Sequence, residues 1–276
     1  MAGVAIGLDN TGWKKAALYR AAISIVLFIL FLEFSARSKE LLAFKMPFFG
    51  DLPPPTLVLI AWQSVFFDVG YWYSWVASTW RVLGGFVAAL ILGVPLGLAF
   101  ALNKTFRGIF FPVFEFIRPV PPLAWVPAAI IFWPTQELAI MFITFLGAFF
   151  TIVINTFGGA ISIDSRYLQA ARSLGASQME VFSRIVMPAV IPSIVVGATI
   201  GIGITWEVVV AAEMISGASK VGGKGAGLGH LIWSSYLGGQ YEMIIVGMAS
   251  IGIAGYLCSA GVRWVGVRLT PWETKK

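Results

Sequence analysis

Charged side chains inside apolar segments are the first candidates for chemistry in this sequence. Arg118 stands at the start of a run that contains Pro119, Pro121 and Trp125. Several prolines at membrane depth break a helix, and broken helices in transporters line cavities. A helix that restarts near Pro121 would point its positive end at the break, beside the guanidinium of Arg118, and both favour an anion. The alternative is that Arg118 only pairs with Glu115, three residues earlier, near the cytoplasmic surface.

A later apolar segment carries Trp206, Glu207 and Glu213. A carboxylate within a membrane span is costly and usually faces a bundle interior or a polar cavity. Glu207 is predicted to be such a group, or to lie close enough to the outer interface to reach water. Together with the Arg118 region, these residues are candidates for a substrate pathway.

Other kinds of site find little support. The single histidine, His230, and the single cysteine, Cys258, cannot build a His/Cys metal cluster within one chain. Residues 222–224, GGK, are similar to a phosphate-binding loop, but Ala218 takes the place of its first glycine and Gly225 that of its Ser or Thr. The serines have no histidine base in a plausible position. We expect no catalytic residue, no metal site and no ATP hydrolysis by this chain.

The composition is that of an integral membrane protein. Of 276 residues, 58% are hydrophobic and only 12% are charged, whereas soluble domains carry about a quarter charged residues. The net charge of +6 indicates orientation in a membrane rather than nucleic-acid binding. Lys and Arg concentrate on the side that holds both termini, which places the termini in the cytoplasm.

We predict an all-α fold with six transmembrane helices in a single domain. The predicted order is a cytoplasmic leader (1–16), span 1 (17–36), an outer segment with an interfacial helix (37–71), span 2 (72–102), a proline-broken span 3 (108–134), span 4 (137–158), a cytoplasmic hairpin (164–187), span 5 (188–214), an outer loop (215–239), span 6 (240–266) and a cytoplasmic tail (267–276).

The polar hairpin between spans 4 and 5 has strong local signals. Asp164 can cap its first helix, and Gly175 supplies the left-handed residue that closes it. Ser177 and Glu180 form a capping box that starts the second helix, which Pro188 is expected to limit. The pattern predicts a rigid pair of helices on the cytoplasmic face.

This stretch resembles the EAA loop of ABC-importer membrane subunits, E-A-A-x3-G-x9-I-x-L-P. The matching residues are Gln169, Ala170, Ala171, Gly175, Ile185, Met187 and Pro188, with Gln169 in place of Glu and Met187 in place of Leu. In that family the loop is a coupling helix that docks into an ATP-binding subunit, so the resemblance assigns ATPase coupling to this hairpin. The alternative is an ordinary amphipathic surface hairpin.

Further segments are similar to one branch of that family, the nitrate, taurine, alkanesulfonate and bicarbonate permeases. These segments are residues 118–127, Trp206 with residues 210–214, and the tail at 268–273, which most resembles taurine permease subunits. The resemblance covers nearly all residues after about 50, and Glu207 and residues 219–226 depart from it.

The resemblance implies the permease subunit of a type I ABC importer in a bacterial inner membrane. Two copies of the chain, two ATP-binding subunits and an extracytoplasmic substrate-binding protein would form the transporter. The ATP-binding subunits would hold ATP and Mg²⁺, and this chain would bind no cofactor. The expected substrate is a small anion or zwitterion such as taurine or another sulfonate, nitrate or bicarbonate, moved by alternating access, with Glu213 bracing the outer gate.

Two other classes of protein compete with this interpretation. A stand-alone secondary carrier or channel accounts for the spans but not for a capped cytoplasmic hairpin. A membrane-embedded enzyme needs a cluster of catalytic groups that the sequence does not show.

Overall fold

The computed structural model describes residues 10–38, 49–215 and 225–272, and the regular elements in these ranges are all helices. The described α-helices are α1 (Asn10–Ala36), α2 (Pro55–Phe66), α3 (Val69–Leu102), α4 (Lys104–Ile117), α5 (Val126–Phe132), α6 (Gln136–Ile161), α7 (Ser165–Ser173), α8 (Gln178–Ile215), α9 (Leu228–Leu237) and α10 (Tyr241–Leu269). The first nine residues of the predicted leader, residues 39–48 of the outer segment, most of the glycine-rich stretch of the outer loop and the last four residues of the tail lie outside the described ranges.

Four described helices, α3, α6, α8 and α10, are long and apolar enough to cross a membrane. The pair α4 and α5 adds a fifth crossing only if the two helices, bent by 88° relative to each other, count as one span. The apolar stretch Ile23–Ala36 of α1 is shorter than the ~20 residues that a crossing helix needs. The described residues thus contain four or five spans by these criteria, and six remains a prediction.

Helix α6 is the centre of the fold and packs along its length against α3 on one side and α8 on the other. Glycines allow these close approaches. A Cβ atom at Gly97 of α3 would lie 2.7 Å from the Cβ of Thr156, and one at Gly197 of α8 would lie 2.7 Å from the Cβ of Asn155. Small residues let membrane helices approach until their backbones nearly touch. The packed faces hold the main apolar core, in which Ile152 is fully buried.

The proline run separates α4 from α5. Helix α4 ends at Ile117, and the chain resumes helical structure as a single 3₁₀ turn, Pro122–Trp125, before the seven residues of α5. Prolines lack the N–H that a continuing helix needs, and they restrict the residue before them. Helical structure thus resumes four residues after Arg118, and the binding of an anion at this helix start stays a prediction.

Pro188 does not end the second helix of the hairpin, contrary to the prediction. Residues Gln178–Ile215 form one helix of 38 residues that includes Pro188 and Pro192. A π-helical segment, Phe182–Val186, directly precedes Met187. A proline clashes with the carbonyl four residues earlier in a regular α-helix, and the wider π turn accommodates it. The hairpin is therefore continuous with the predicted fifth span.

The outer loop predicted at 215–239 is also not a loop throughout. Residues 228–237 form α9, and residues 225–229 are buried. The burial arises from contacts with residues far away in sequence, as described below, and these contacts leave no local signal.

Candidate functional site

Both helices of the hairpin are capped by side chains. The carboxylate of Asp164 accepts a hydrogen bond from the Arg166 backbone N–H (2.9 Å) at the start of α7. The hydroxyl of Ser177 accepts from the Glu180 N–H (3.3 Å), while the Glu180 carboxylate accepts from the Ser177 N–H (2.9 Å). These N–H and hydroxyl donors of Ser177 lower the pKa of the Glu180 carboxyl below its ordinary value. The Glu180 carboxylate is therefore charged at neutral pH, and the capping box is formed.

The turn between the two helices has a defined geometry. Gly175 has φ +82°, in the left-handed region, and its N–H donates to the Arg172 carbonyl (2.9 Å). The Ala176 N–H donates to the Ala171 carbonyl (3.0 Å). This pair of hydrogen bonds is a Schellman motif, which fixes the angle between the helices.

One face of the hairpin packs on the protein, and the other is exposed. Leu168 and Ala176 pack against a small core that includes Val181 and Val190 at the base of α8. Gln169 and Ala170, two of the residues in the EAA-like pattern, are exposed. The hairpin therefore has an anchored side and a side that is free in one copy of the chain.

Arg118 lines an open groove of about 320 Å³ between the proline break, α6 and α8. Thr151 and Asn155 of α6 and Ile204 of α8 contribute to its wall. The Arg118 guanidinium also lies 3.5 Å from the Glu115 carboxylate, and both side chains are about two-fifths exposed. The structure thus contains both the groove at Arg118 and the alternative ion pair of Arg118 with Glu115. A partly exposed pair of this kind is weak, so the guanidinium stays available to a second anion.

The other predicted pathway residues divide into exposed and buried groups. Pro119, Pro121 and Glu207 are exposed, whereas Trp125 is half-buried. Trp206 is only 3% exposed and packs beside Gly255 of α10, so in this conformation it belongs to the core and does not line the groove. Glu213 is also fully buried.

Glu213 belongs to an ion-pair network at the end of the fold opposite the hairpin, near the C-terminal end of α8. Arg81 of α3 donates to the carboxylates of Glu213 (2.7 Å) and of Glu137 at the start of α6 (2.8 Å). The same guanidinium donates to the backbone carbonyl of Ala226 (2.7 Å). The side chains of Arg81 and Glu213 are both fully buried. One guanidinium thus joins three helices and the chain segment before α9.

The Glu213 carboxylate also holds residues 225–229 in place. It accepts hydrogen bonds from the Ser78 hydroxyl (2.8 Å) and the Gly229 N–H (2.9 Å), and the Ser78 oxygen accepts from the Leu228 N–H (2.8 Å). Gly227 has φ +122°, and a Cβ atom at this position would meet the Glu213 carboxylate about 2.5 Å away. Only glycine fits there, because both the backbone angle and the space exclude a side chain.

Sequence reasoning found Glu213 but missed its partners Ser78 and Arg81, and it also missed Glu137, the second carboxylate on Arg81. The available signal was an arginine, Arg81, within an apolar helix, because such a cation usually pairs with a carboxylate in the interior of the bundle.

Comparison with known proteins agrees with the fold and the sequence patterns. A model of the binding-protein-dependent transport system inner membrane component family matches residues 89–275. The chain is 34% identical to the taurine transport system permease protein of Escherichia coli K12 over 80% of each chain. It is 34% identical to the nitrate import permease protein of Leptolyngbya laminosa, over 75% of this chain and 72% of that one.

A solved structure, the inward-facing MetNI methionine ABC transporter, shares the fold. It superimposes with a TM-score of 0.55 over 79% of this chain and 98% of the compared chain, at 20% sequence identity. The family match covers well over half of the sequence, and the relatives are similar over most of their length. The chain therefore belongs to the family of binding-protein-dependent transport system inner membrane components.

Proposed function

We propose that this chain is the membrane subunit of an importer for a small anion or zwitterion, in the class of taurine and other sulfonates, nitrate or bicarbonate. The observation that carries the proposal is the family membership together with relatives whose names specify taurine and nitrate. The groove at Arg118 supports it, since a guanidinium with hydroxyl and amide neighbours suits a sulfonate, nitrate or bicarbonate oxygen.

The proposed assembly contains two copies of the chain in a bacterial inner membrane, each with six spans and both termini in the cytoplasm. Two ATP-binding subunits would dock on the two hairpins and hold ATP and Mg²⁺, and a binding protein would deliver the substrate from outside. Glu207 supports a second copy. It is exposed on α8 on the same side as Val196 and Ile200, and a carboxylate facing lipid is costly unless a polar cavity covers it.

In the proposed cycle, ATP binding closes the ATP-binding subunits and draws the two hairpins together. Gln169, Ala170 and Ala171 lie on the hairpin that receives this movement, and Gly175, Ser177 and Glu180 keep it rigid. Because α8 continues through Pro188, the movement reaches Glu213 without a break in the helix. Release of residues 225–229 from Glu213 would then open the outer side, and hydrolysis would reset the transporter.

The test is the ATPase activity of the complex of this chain with its ATP-binding subunit in nanodiscs. Loaded binding protein is added with each of taurine, an alkanesulfonate, nitrate and bicarbonate. We expect one loaded binding protein to stimulate ATP hydrolysis, and Gly175→Val to abolish the stimulation. A β-branched residue at φ +82° is strained by about 1–2 kcal/mol, which distorts the turn between α7 and α8.

A matched control is Gly252→Ala in α10, where an added Cβ meets no atom within 4 Å. This variant should keep full stimulation. Uptake driven by an ion gradient through the chain alone, with no association with any ATP-binding subunit, would refute the proposal and favour a secondary carrier.

A further inference from the structure

The chain returns to the hairpin at the end of its last helix. α10 and α8 approach closely at Gly266, where an added Cβ would collide with Val195. Thr270 follows α10, is buried, and bonds through its N–H (3.0 Å) and its hydroxyl (2.9 Å) to the Gly266 carbonyl. Pro271 and Trp272 then form a turn. This anchoring sets the position of Trp272.

Trp272 completes an open groove of about 470 Å³ on the hairpin. Tyr167 and Ala171 of α7, with Leu174 directly after its end, form one wall, and the three recur at helical spacing. The other wall consists of residues of α8, namely Arg184, Ile185, Pro188 and Ala189. The groove is thus made from two segments almost a hundred residues apart, the hairpin and the tail.

The groove carries more exposed apolar surface than a cytoplasmic face normally leaves open. Leu174 is 88% exposed, Tyr167 68% and Trp272 51%. Met179, nearby on the second helix of the hairpin, is 72% exposed. Contiguous apolar side chains of this kind mark interaction sites. Ala171 both lines the groove and packs against the small core at the base of α8, so the groove adjoins the anchored side of the hairpin while Tyr167, Leu174 and Trp272 stay open to a partner.

The charges around the groove specify the chemistry of that partner. Arg184 lines the groove, and Arg166 and Arg172 are exposed on the same hairpin. Among the described residues of the hairpin, the acids are Asp164, which caps α7 and pairs with Arg166, and Glu180, which forms the capping box. The described hairpin thus carries three cations and two carboxylates, a small basic excess, and its groove suits a protein surface that presents an apolar side chain next to a carboxylate facing Arg184.

We infer that Trp272 is an anchor of the docking surface for the ATP-binding subunit, beside the hairpin itself. The inference rests on the proposed function, which places that subunit on the hairpin, and it adds the tail to the contact. Tryptophan is among the residues that contribute most to binding when a partner encloses it, because its ring buries a large apolar area at little cost in conformational entropy. The groove leaves the ring half-exposed, so the partner would complete its burial.

Trp264, eight residues before Trp272 in the chain, provides the control. Trp264 on α10 is also exposed, and the Arg268 guanidinium lies 3.9 Å from the centre of its ring. It does not line the groove. Trp264→Ala therefore removes an equal ring from the end of the helix that leads to Trp272, without changing the docking surface.

The first measurement is the affinity of the ATP-binding subunit for the permease in nanodiscs, by biolayer interferometry. We expect Trp272→Ala to weaken binding about tenfold, Trp272→Phe to recover most of the loss, and Trp264→Ala to bind like the unaltered protein. Affinity of Trp272→Ala within twofold of the unaltered protein would overturn the inference.

Gly175→Val in the same assay separates this inference from the proposed function. If it weakens binding while Trp272→Ala does not, the hairpin docks without the tail, and if neither variant weakens binding, docking on the hairpin itself is refuted.

The second measurement identifies what touches the ring. With p-benzoylphenylalanine at position 272, illumination should produce a covalent adduct with the ATP-binding subunit, and the same photo-crosslinker at position 264 should not. Adducts only with lipid would assign Trp272 to the membrane interface and overturn the inference. Faster hydrogen exchange of residues 165–181 in Trp272→Ala without the ATP-binding subunit would also overturn it, since the ring would then brace the hairpin within the chain.

Discussion

Replacing Arg81 with methionine should destabilise the protein more than any single substitution on its surface. The change removes the hydrogen bonds from Arg81 to Glu137, to the Ala226 carbonyl and to Glu213. Methionine fills a similar volume, so the main cost is electrostatic. Glu213 stays fully buried but loses its cation, so it must either hold an uncompensated charge or take up a proton, and both cost free energy. Breaking a buried ion pair from one side costs about 3–5 kcal/mol.

The second substitution shows whether this energy belongs to the pair. Glu213→Gln alone places an amide N–H against the Arg81 or Gly229 donors, and we expect it to cost about 1–3 kcal/mol. In the Arg81→Met background, the same substitution removes an uncompensated buried charge. The double variant should therefore be more stable than the sum of the two single costs predicts, by about 2 kcal/mol or more.

The assay is unfolding of the purified chain by SDS in mixed micelles, followed by tryptophan fluorescence from its 11 tryptophans. The control is Arg37→Met, which breaks a partly exposed pair with Glu33 four residues away, and it should cost at most about 1 kcal/mol. Limited proteolysis gives an independent reading, because loss of the network should expose the backbone of residues 225–229. Additive costs within about 0.5 kcal/mol would refute the reasoning, since Arg81 and Glu213 would then not depend on each other.

Three further substitutions test other parts of the structure. Gly97→Val should disrupt the packing of α3 on α6, because the new side chain would enter the space of Thr156. Gly108→Ala is the control, since an added Cβ there meets no atom within 4 Å. Thermal unfolding in detergent should show a lower unfolding temperature for Gly97→Val only. Arg118→Ala should lower anion uptake at saturating binding protein while Arg118→Lys keeps most of it, and unchanged uptake in Arg118→Ala would remove Arg118 from the pathway. Ser177→Ala should cost the hairpin about 1 kcal/mol and speed hydrogen exchange at Glu180, with exchange in α10 unaffected; equal exchange at Glu180 would show that the capping box contributes no rigidity.

Local signals explain most of what could be predicted from the sequence. The caps at Asp164, Ser177 and Glu180 involve neighbours within three residues, and the Gly175 turn is set by one backbone angle. The break at the proline run is equally local, since each proline acts on its own and the preceding residue. For these features the residue types specify the geometry, whatever surrounds them.

Long-range contacts explain what was missed. Arg81 and Glu213 are 132 residues apart, and no spacing rule connects them. The burial of residues 225–229 follows from that pair, so a glycine-rich stretch looked like a flexible loop. Pro188 was expected to end a helix because the rule for prolines assumes regular α geometry, and the π segment before it departs from that geometry.

The continuity of α8 has a mechanical consequence. At 1.5 Å per residue its 38 residues span about 57 Å, more than the whole thickness of a bilayer with its headgroups. The π segment lies near the Gln178 end of the helix, so a bend there would have a short arm toward the hairpin and an arm of about 40 Å up to Glu213. A tilt of about 5° at the π segment would move the Glu213 end by about 3.5 Å. That displacement exceeds the length of each hydrogen bond that holds residues 225–229, so under the proposed function a small movement of the hairpin would be enough to release them.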